Sequence, residues 1–468
     1  MATTQRIGVV AVVLGISLWA VAQNDTATSR TGPAPAFGQT APVLDPDNPP
    51  ISGLDEPGLD MRGGTRSFIS GGLAVAESGD TNASNEGKQA LSSVTHVLGA
   101  FDLQRFYAKT DLFAEYFGGG AFYSNATRDV TQLHALGTEG VIRWRTGRFT
   151  LRDAFNYLPD GSFSMGAFGG VPGLHLATGG FSMGGLPGLR SFGNESTSAV
   201  GLTPRLTNTA VADLVQSVNP RAAFTLAVGF SNAHFFDNTE NLINSDQLTA
   251  EGGYSYMVGR RDQIAGVYGF QQFRFPQTEG GEIRTHIANF RWSHYISGRM
   301  RLVIGAGPQY TTINDLALGL VNRWSVSGRA QLHYKFTRTS VSVGYEKFTG
   351  AGSGFFPGTD TQLVRAGLNR PLARTWEFTG DLGYSHNKRL QTQGEGGLPG
   401  NSFNNGFVGG ILRKHLGREY SVFGAYRFNE LTFDRSACGV DSACSNRITH
   451  RNIGTIGVEW HPRPLRIE

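Results

Sequence analysis

Residues 324–336 read Trp-Ser-Val-Ser-Gly-Arg-Ala-Gln-Leu-His-Tyr-Lys-Phe and contain no turn signal. Apolar or small side chains occupy the even positions from Trp324 to Phe336, and polar side chains occupy the odd positions from Ser325 to Lys335. Because successive side chains of a strand point to opposite faces, this pattern predicts a strand with one apolar face and one water-facing face. Aromatic residues lie at both ends of the apolar face, which is typical of a strand that crosses a membrane.

The same alternation recurs in runs that are separated by short turns, each carrying an arginine. These turn arginines are spaced 39, 39, 39, 36 and 44 residues apart: Arg221, Arg260, Arg299, Arg338, Arg374 and Arg418. A period near 40 fits either a propeller blade of four short strands or a barrel hairpin of two long strands. The uninterrupted runs of 11 to 13 residues favour the barrel, because a tilted strand needs about 9–11 residues to cross a bilayer.

The sequence therefore predicts an all-β fold, a transmembrane antiparallel up-and-down β-barrel of about 18 strands (16–18) over residues 65–462. Short turns are expected on the periplasmic side and long loops outside the cell, with both chain ends in the periplasm. Strand starts are expected near Arg66, Ser93, Phe106, Val130, Phe149, Leu206, Ala222, Asp246, Gln263, Ile283, Met300, Trp324, Ser340, Thr361, Trp376, Ser402, Tyr420 and Thr449. For Thr207–Val218 a helix remains open, since its spacing also suits one.

Two segments precede the predicted barrel. Residues 1–22 have the form of a signal peptide, with Arg6, an apolar run from Ile7 to Leu18 and small residues before Gln23. Residues 23–64 are rich in proline and predict a disordered periplasmic leader, although its stretch from Pro49 to Asp55 also suits docking to a partner or to the barrel mouth.

Composition narrows the function classes. The chain has 64 Gly and 31 Phe, but only 17% charged residues and a net charge of +4. This small, dispersed charge gives no reason to expect nucleic-acid binding. Beyond the signal peptide no stretch reaches 18 consecutive apolar residues, which excludes a helical membrane protein.

With these features the chain resembles the outer-membrane porins of Gram-negative bacteria. The resemblance implies an outer-membrane location, passage of small hydrophilic solutes, contact with outer-membrane lipids and lipopolysaccharide, folding by the barrel assembly machinery and a possible homo-oligomer. It also assigns a role to residues 158–205, the third external loop, which in porins folds into the lumen. Two features depart from the family: this loop is not acidic, and His461–Glu468 follow the last aromatic residue, Trp460.

The residues that would line the lumen follow from the polar faces of the clearest strands. These candidates are Lys109, Asp111, Glu115, Glu251, Arg291, Arg329, His333, Lys335, Arg365, Glu377, Asp381 and Arg427. A basic patch of Arg329, Lys335 and Arg365 would favour anionic or polyhydroxylated solutes. The alternative is that all of these are ordinary water-facing or mutually paired residues without selectivity.

The long loop contains an internal repeat of Phe-Ser-Met-Gly. Its Phe163, Met165, Phe181 and Met183 are candidates for a gate, and a mobile surface loop is the other interpretation. Cys438 and Cys444 predict a small disulfide in the last external loop.

No cofactor or metal site is expected, since too few suitable ligands lie near each other. Ser385 and His386 are the nearest approach to a catalytic pair, but adjacent strand residues face opposite sides, so the chain is not expected to be an enzyme. The sequence favours a porin-like channel for passive solute passage. The alternative is a structural or export barrel that serves envelope polysaccharide or a secretion partner.

Overall fold

A computed structural model describes eleven stretches of the chain, all within one unit of residues 35–468. They are residues 67–82, 91–124, 130–158, 205–236, 242–277, 281–315, 319–336, 339–352, 354–390, 401–434 and 448–467. The predicted signal peptide and leader, most of the long third loop, and both cysteines lie outside these residues. Among the described residues, no helix is long and apolar enough to cross a membrane.

The described residues form strands and turns. The strands are β1 (Phe68–Asp80), β2 (Ser92–Phe106), β3 (Thr110–Tyr123), β4 (Val130–Trp144), β5 (Gly147–Leu158), β6 (Arg205–Asn219), β7 (Ala222–Phe235), β8 (Ser245–Met257), β9 (Asp262–Arg274), β10 (Glu282–Ser297), β11 (Met300–Asp315), β12 (Gly319–Lys335), β13 (Ser340–Gly350), β14 (Thr359–Pro371), β15 (Trp376–Arg389), β16 (Ser402–Leu416), β17 (Tyr420–Phe433), β18 (Ile448–Trp460) and the two-residue β19 (Leu465–Arg466).

Each long strand pairs in antiparallel fashion with the next one in sequence, and β18 pairs with β1 to close the sheet. The closing register runs from Leu73 opposite Trp460 to Asp80 opposite Ile453. The predicted closed barrel of 18 long strands is therefore confirmed in the part of the chain that the structure describes. The tail beyond Trp460 extends the seam, because β19 pairs with Phe68 and Ile69 at the start of β1.

The side-chain alternation is that of a barrel with an apolar exterior. On β12, the side chains of Trp324 and Val326 are 71% and 57% exposed on the outside, whereas Ser327 is buried on the inside. Large apolar side chains stay exposed on the outer faces of the other strands, for example Phe230, Phe290 and Ile456. An apolar outer face is stable in lipid and costly in water, so the hydrophobic effect favours insertion into a bilayer.

The two ends of the barrel differ in their connections. Turns of two to four residues follow the even-numbered strands β2 to β16, and connections of three to 46 residues follow the odd-numbered strands β1 to β17. We call these the short-turn end and the long-loop end. Barrels of this architecture place short turns in the periplasm and long loops outside the cell.

Some sequence-based boundaries need correction. β3 begins at Thr110 rather than Phe106, because residues 107–109 form the turn that closes with a hydrogen bond from Tyr107 N to Thr110 O. β12 begins at Gly319, five residues before Trp324, since its first residues pair with the end of β11. The helical alternative for Thr207–Val218 is wrong: these residues belong to β6, where buried and half-buried side chains alternate.

Candidate functional site

The lumen has a polar wall on β6 to β11. Among its inward side chains, many carry hydroxyl or amide groups: Thr207, Thr209, Ser231, Gln247, Thr249, Gln271, Thr285, Gln309 and Thr311. Several are bonded to each other across neighbouring strands, such as Thr209 to Ser231 at 2.8 Å and Thr285 to Thr311 at 3.2 Å. Such groups can exchange hydrogen bonds with water or with a polar solute without a net charge.

The strands on the opposite side of the lumen carry an apolar cluster. Leu98 of β2, Phe117 of β3, Leu133 of β4, Ile411 of β16 and Phe423 of β17 belong to one buried cluster on the inward faces of their strands. Each is at most 3% exposed. The lumen therefore has hydrogen-bonding groups on β6 to β11, and on the opposite side it has packed apolar side chains beside buried polar ones such as Gln104, Arg413 and Arg451.

At the long-loop end, the β13–β14 hairpin leaves the wall of the barrel. The pairing of β12 with β13 stops at Gly328 opposite Lys347, although β12 continues upward to Gly319 beside β11. Above this point, residues on the outer face of the hairpin contact inward-facing residues of β11 and β12. The upper hairpin thus forms a second layer inside the barrel.

Two contacts hold the hairpin against the inner surface. Thr349 of β13 accepts a hydrogen bond from the Gln309 side chain of β11. Asp360 of β14 forms an ion pair with Arg323 of β12, with 3.2 Å between Arg323 Nη2 and Asp360 Oδ2. Thr349 and Asp360 project from the same faces of their strands as Tyr345 and Val364, which are exposed on the outside of the barrel lower down. Because Thr349 and Asp360 nevertheless contact inward-facing residues of β11 and β12, the upper hairpin lies inside the wall.

The connection at the tip of this hairpin, residues 351–358, is buried at every described position, and we call it the inner loop. Its Phe355 packs against Phe403 of β16 and Phe433 of β17, with ring centroids 5.2 and 5.4 Å apart. Phe356 packs against Phe403 at 5.5 Å. The same cluster includes Phe235, at the end of β7 on the far side of the barrel. The inner loop therefore bridges opposite walls.

Glycines allow this close approach. Gly352, Gly354 and Gly358 have φ values of 84°, 85° and 84°, a region that side-chain-bearing residues rarely adopt. A β-carbon at Gly354 would lie 2.7 Å from the ring of Phe235. Hydrogen bonds from Ile243 N to Gly354 O and from Leu390 N to Gly358 O tie the loop to two other parts of the long-loop end.

An 18-stranded barrel encloses an aqueous channel unless something fills it. The cluster that bridges β7 and β16 through the inner loop narrows this channel near the long-loop end. We regard the lumen and the inner loop together as the candidate functional site.

No family model matches the chain, and no curated protein matches it in sequence. Similar solved structures include OccK2 (OpdF) of Pseudomonas aeruginosa, 10% identical over 85% of this chain and 98% of that chain, with a TM-score of 0.41. OprD of Pseudomonas aeruginosa is 10% identical over 90% of this chain and 99% of that chain, with a TM-score of 0.40. The ferric-catecholate import receptor Fiu of Escherichia coli K12 is 8% identical over 87% and 82%, with a TM-score of 0.42.

The strand register and the exposure of the apolar faces carry the assignment of the fold. A closed register, an apolar exterior and alternating short turns and long loops are the features of bacterial outer-membrane barrels. The chain is an outer-membrane β-barrel.

Several of the predicted lumen residues are paired inside the barrel. Arg291 and Glu251 form an ion pair at 2.7 Å with both side chains buried. Arg329 lies 3.4 Å from Glu346 on the adjacent strand, and Asp111 pairs with Arg143. These contacts place opposite charges together, so they reduce the net field that each residue contributes to the lumen.

The remaining candidates are distributed differently. His333 and Lys335 lie exposed at the lower end of β12, and Arg365 is half-buried on β14. Glu377 accepts a hydrogen bond from Asn369, and Arg427 donates one to Asn429. Lys109 lies exposed in the turn between β2 and β3 rather than on a strand. The side chains of Glu115 and Asp381, the gate candidates Phe163, Met165, Phe181 and Met183, and the cysteines Cys438 and Cys444 fall outside the described residues.

Ser385 and His386 face opposite sides of β15. Ser385 is buried inside and accepts a hydrogen bond from Asn387, whereas His386 contacts Asn404 at 2.7 Å on the outer side. The two side chains are therefore not brought together.

The inner loop is the element that the sequence-based prediction missed. Its signal is present in the sequence as Gly352-Ser-Gly-Phe-Phe-Pro-Gly358, a short glycine-rich connection with two adjacent aromatic residues. Phenylalanine pairs in an exposed loop are costly in water, so this composition predicts burial of the loop.

Proposed function

We propose that this barrel is a porin-like channel for the passive passage of small hydrophilic solutes across the outer membrane. The polar wall of β6 to β11 is the observation that carries the proposal. Its hydroxyl and amide groups recur at successive levels between Ser255 near the short-turn end and Ser245 near the long-loop end. A barrel that served only as a scaffold has no need for hydrogen-bonding groups at so many levels of its lumen.

Selectivity for anionic or polyhydroxylated solutes is a finer part of this proposal. Arg365 and Lys335 supply positive charge on the lumen side of β14 and β12, while Arg329 is close to Glu346. Lys335 and Arg365 both contribute positive charge to the field at the lower part of these strands. We further propose, on the same footing, that the outer face contacts lipopolysaccharide, that the barrel assembly machinery inserts the chain, that it forms a homo-oligomer and that it carries no enzymatic activity.

A structural or export barrel is the second candidate, because the aromatic cluster around the inner loop crosses the lumen. Planar-bilayer recording of the purified full chain separates the two. A channel gives stable ion-conducting steps. Silence at all voltages, both for the wild type and for a variant in which Phe355 and Phe356 are replaced by serine, would contradict the channel proposal.

The long loop and the inner loop are the two proposed constrictions. Deletion of residues 158–205 raises the conductance if that segment occludes the lumen. Unchanged current after this deletion, together with a rise when the inner loop is altered, would assign the constriction to the inner loop alone.

A further inference from the structure

The inward face of β16 alternates aromatic and amide side chains just below the inner loop. Phe403, Asn405 and Phe407 are all buried on this face. Asn405 is 0% exposed, and neither its amide nitrogen nor its carbonyl oxygen has a hydrogen-bond partner among the described residues. An unsatisfied buried amide costs about 1–3 kcal/mol, so its retention needs a reason.

The strand beside it carries a chain of hydrogen bonds with a fixed direction. Thr361 donates to the oxygen of Asn387 at 2.9 Å, and Asn387 donates to the hydroxyl of Ser385 at 3.0 Å. Ser385 lies directly opposite Asn405 in the β15–β16 register. The Ser385 hydroxyl accepts one hydrogen bond in this chain and still has its own hydrogen to donate, beside the Asn405 amide.

Aromatic rings lie above and below this pair. Phe403 separates it from the inner loop by packing against Phe355 and Phe356. Phe407 covers Gly383 so closely that a β-carbon there would collide with its ring. The faces of these rings suit the C–H groups of a solute, while Ser385 and Asn405 suit its hydroxyl groups.

The nearby guanidinium groups are already associated with rings and amides. The Arg427 guanidinium lies 5.1 Å from the centroid of Phe407 and donates to Asn429, and that of Arg389 lies 5.3 Å from the centroid of Phe356. The Ser385 hydroxyl and the Asn405 amide, which lie opposite each other, are both neutral. A hydroxyl group both donates and accepts, and so it matches an amide and a hydroxyl better than a carboxylate, which only accepts.

We propose that Ser385 and Asn405, between Phe403 and Phe407, form a binding site for a neutral polyhydroxylated solute of the sugar class. This inference rests on the proposed channel function and specifies its solute. The inner loop covers the site, so a solute enters when the loop moves away from Phe403. Binding then supplies the hydrogen bonds that Asn405 lacks in the closed arrangement.

The test is block of ion current through the full chain in planar bilayers. Glucose is the neutral probe, gluconate is the anionic probe, and a polyether of similar size tests simple obstruction. Asn405→Leu removes the amide but keeps a branched side chain with the same number of heavy atoms, and Ser385→Ala is the second variant in case the first does not fold. Thr131→Val is the matched control, because Thr131 is 5% exposed on β4 and its hydroxyl also lacks a hydrogen-bond partner among the described residues.

We expect glucose to reduce the current in a concentration-dependent manner, and Asn405→Leu to raise the half-blocking concentration by about tenfold, as the loss of two hydrogen bonds implies. Ser385→Ala gives a smaller rise and Thr131→Val none. Equal block of wild type and Asn405→Leu, equal block by the polyether, or block by gluconate without block by glucose would each overturn the sugar site while leaving the channel intact. Absence of any ion current in wild type and in the variant with serine at positions 355 and 356 would instead overturn the channel itself.

Discussion

Two arginine–aspartate pairs at the long-loop end join strands in different arrangements. Arg451 of β18 pairs with Asp80 of β1 at the seam, with Arg451 Nε 3.0 and 3.1 Å from the two carboxylate oxygens. Both side chains point inward from a sheet that stays in the wall. Arg323 and Asp360 also pair, but Arg323 points inward and Asp360 has outward parity, because the β13–β14 hairpin lies inside β12.

The two ion pairs are of the same kind, and they differ in the strand faces from which their side chains project. Two side chains that both project inward belong to a single layer, whereas an inward and an outward side chain that meet belong to two layers. Partners on the same face of a sheet reinforce the register that carries them. Partners on facing surfaces join separate layers, and the backbone pairing of β12 with β13 ends where the second layer begins. The seam therefore contributes to closure of the barrel, and the hairpin contributes to narrowing of its lumen.

The largest effect is expected at the seam. Arg451→Met removes a guanidinium that is 0% exposed and leaves the Asp80 carboxylate buried without it. Breaking one partner of a buried pair costs about 3–5 kcal/mol. We expect a marked fall in the midpoint of heat-induced unfolding, measured by the shift in gel mobility.

The control for the seam is the exposed pair of Arg463 and Glu419, 3.4 Å apart with the arginine 75% exposed. Arg463→Met should leave the midpoint nearly unchanged, because exposed pairs contribute little. Equal midpoints for Arg451→Met and wild type would show that backbone pairing of β1 with β18 is sufficient for closure.

The next effect is expected at the inner loop. Replacing Phe355 and Phe356 by serine removes the rings that pack against Phe403, so the loop loses most of its apolar contacts. We expect the single-channel conductance to rise severalfold, because the cluster no longer bridges the lumen. Phe113→Ser is the control, since Phe113 is buried near the short-turn end; a similar rise in that variant would indicate general loosening of the barrel.

A smaller effect is expected from the ion pair that joins the two layers. Asp360→Asn weakens the contact with Arg323, which is partly exposed, so the loss is at most about 1 kcal/mol. We expect larger current fluctuations and a conductance between those of wild type and the double serine variant. Asp246→Asn, on the outer face of β8, is the matched control. Identical current traces for Asp360→Asn and wild type would assign the hairpin position to the loop contacts alone.

The fold and the site differ in how far the sequence predicts them. Strands such as β12 were predictable because alternation between lipid and water repeats every second residue, and Trp324 to Phe336 show it without interruption. Alternation does not indicate whether an outward-facing side chain meets lipid or the inner surface of another strand. Thr349 and Asp360 therefore fit a wall strand equally well, although they contact the inner faces of β11 and β12.

The same limit applies to the solute site. Asn405 and Ser385 come together through the register of β15 with β16, which fixes their juxtaposition across 20 residues of sequence. The lumen residues predicted from the sequence are charged or titratable, because the chemistry of such residues can be recognised without a structure. Neutral amides and hydroxyls acquire a role only when a strand register places them opposite one another.

The smallest effect is expected from the basic residues of β12. Arg329→Gln combined with Lys335→Gln removes two positive charges and leaves Glu346, which lies 3.4 Å from Arg329 in the wild type, with less neutralisation. The reversal potential in a salt gradient should move toward cation selectivity, by less than about twofold in permeability ratio because Lys335 is exposed to screening ions. The single variant Lys335→Gln separates the two contributions. If neither variant moves the reversal potential, the narrow part of the pathway lies at the inner loop, away from these charges.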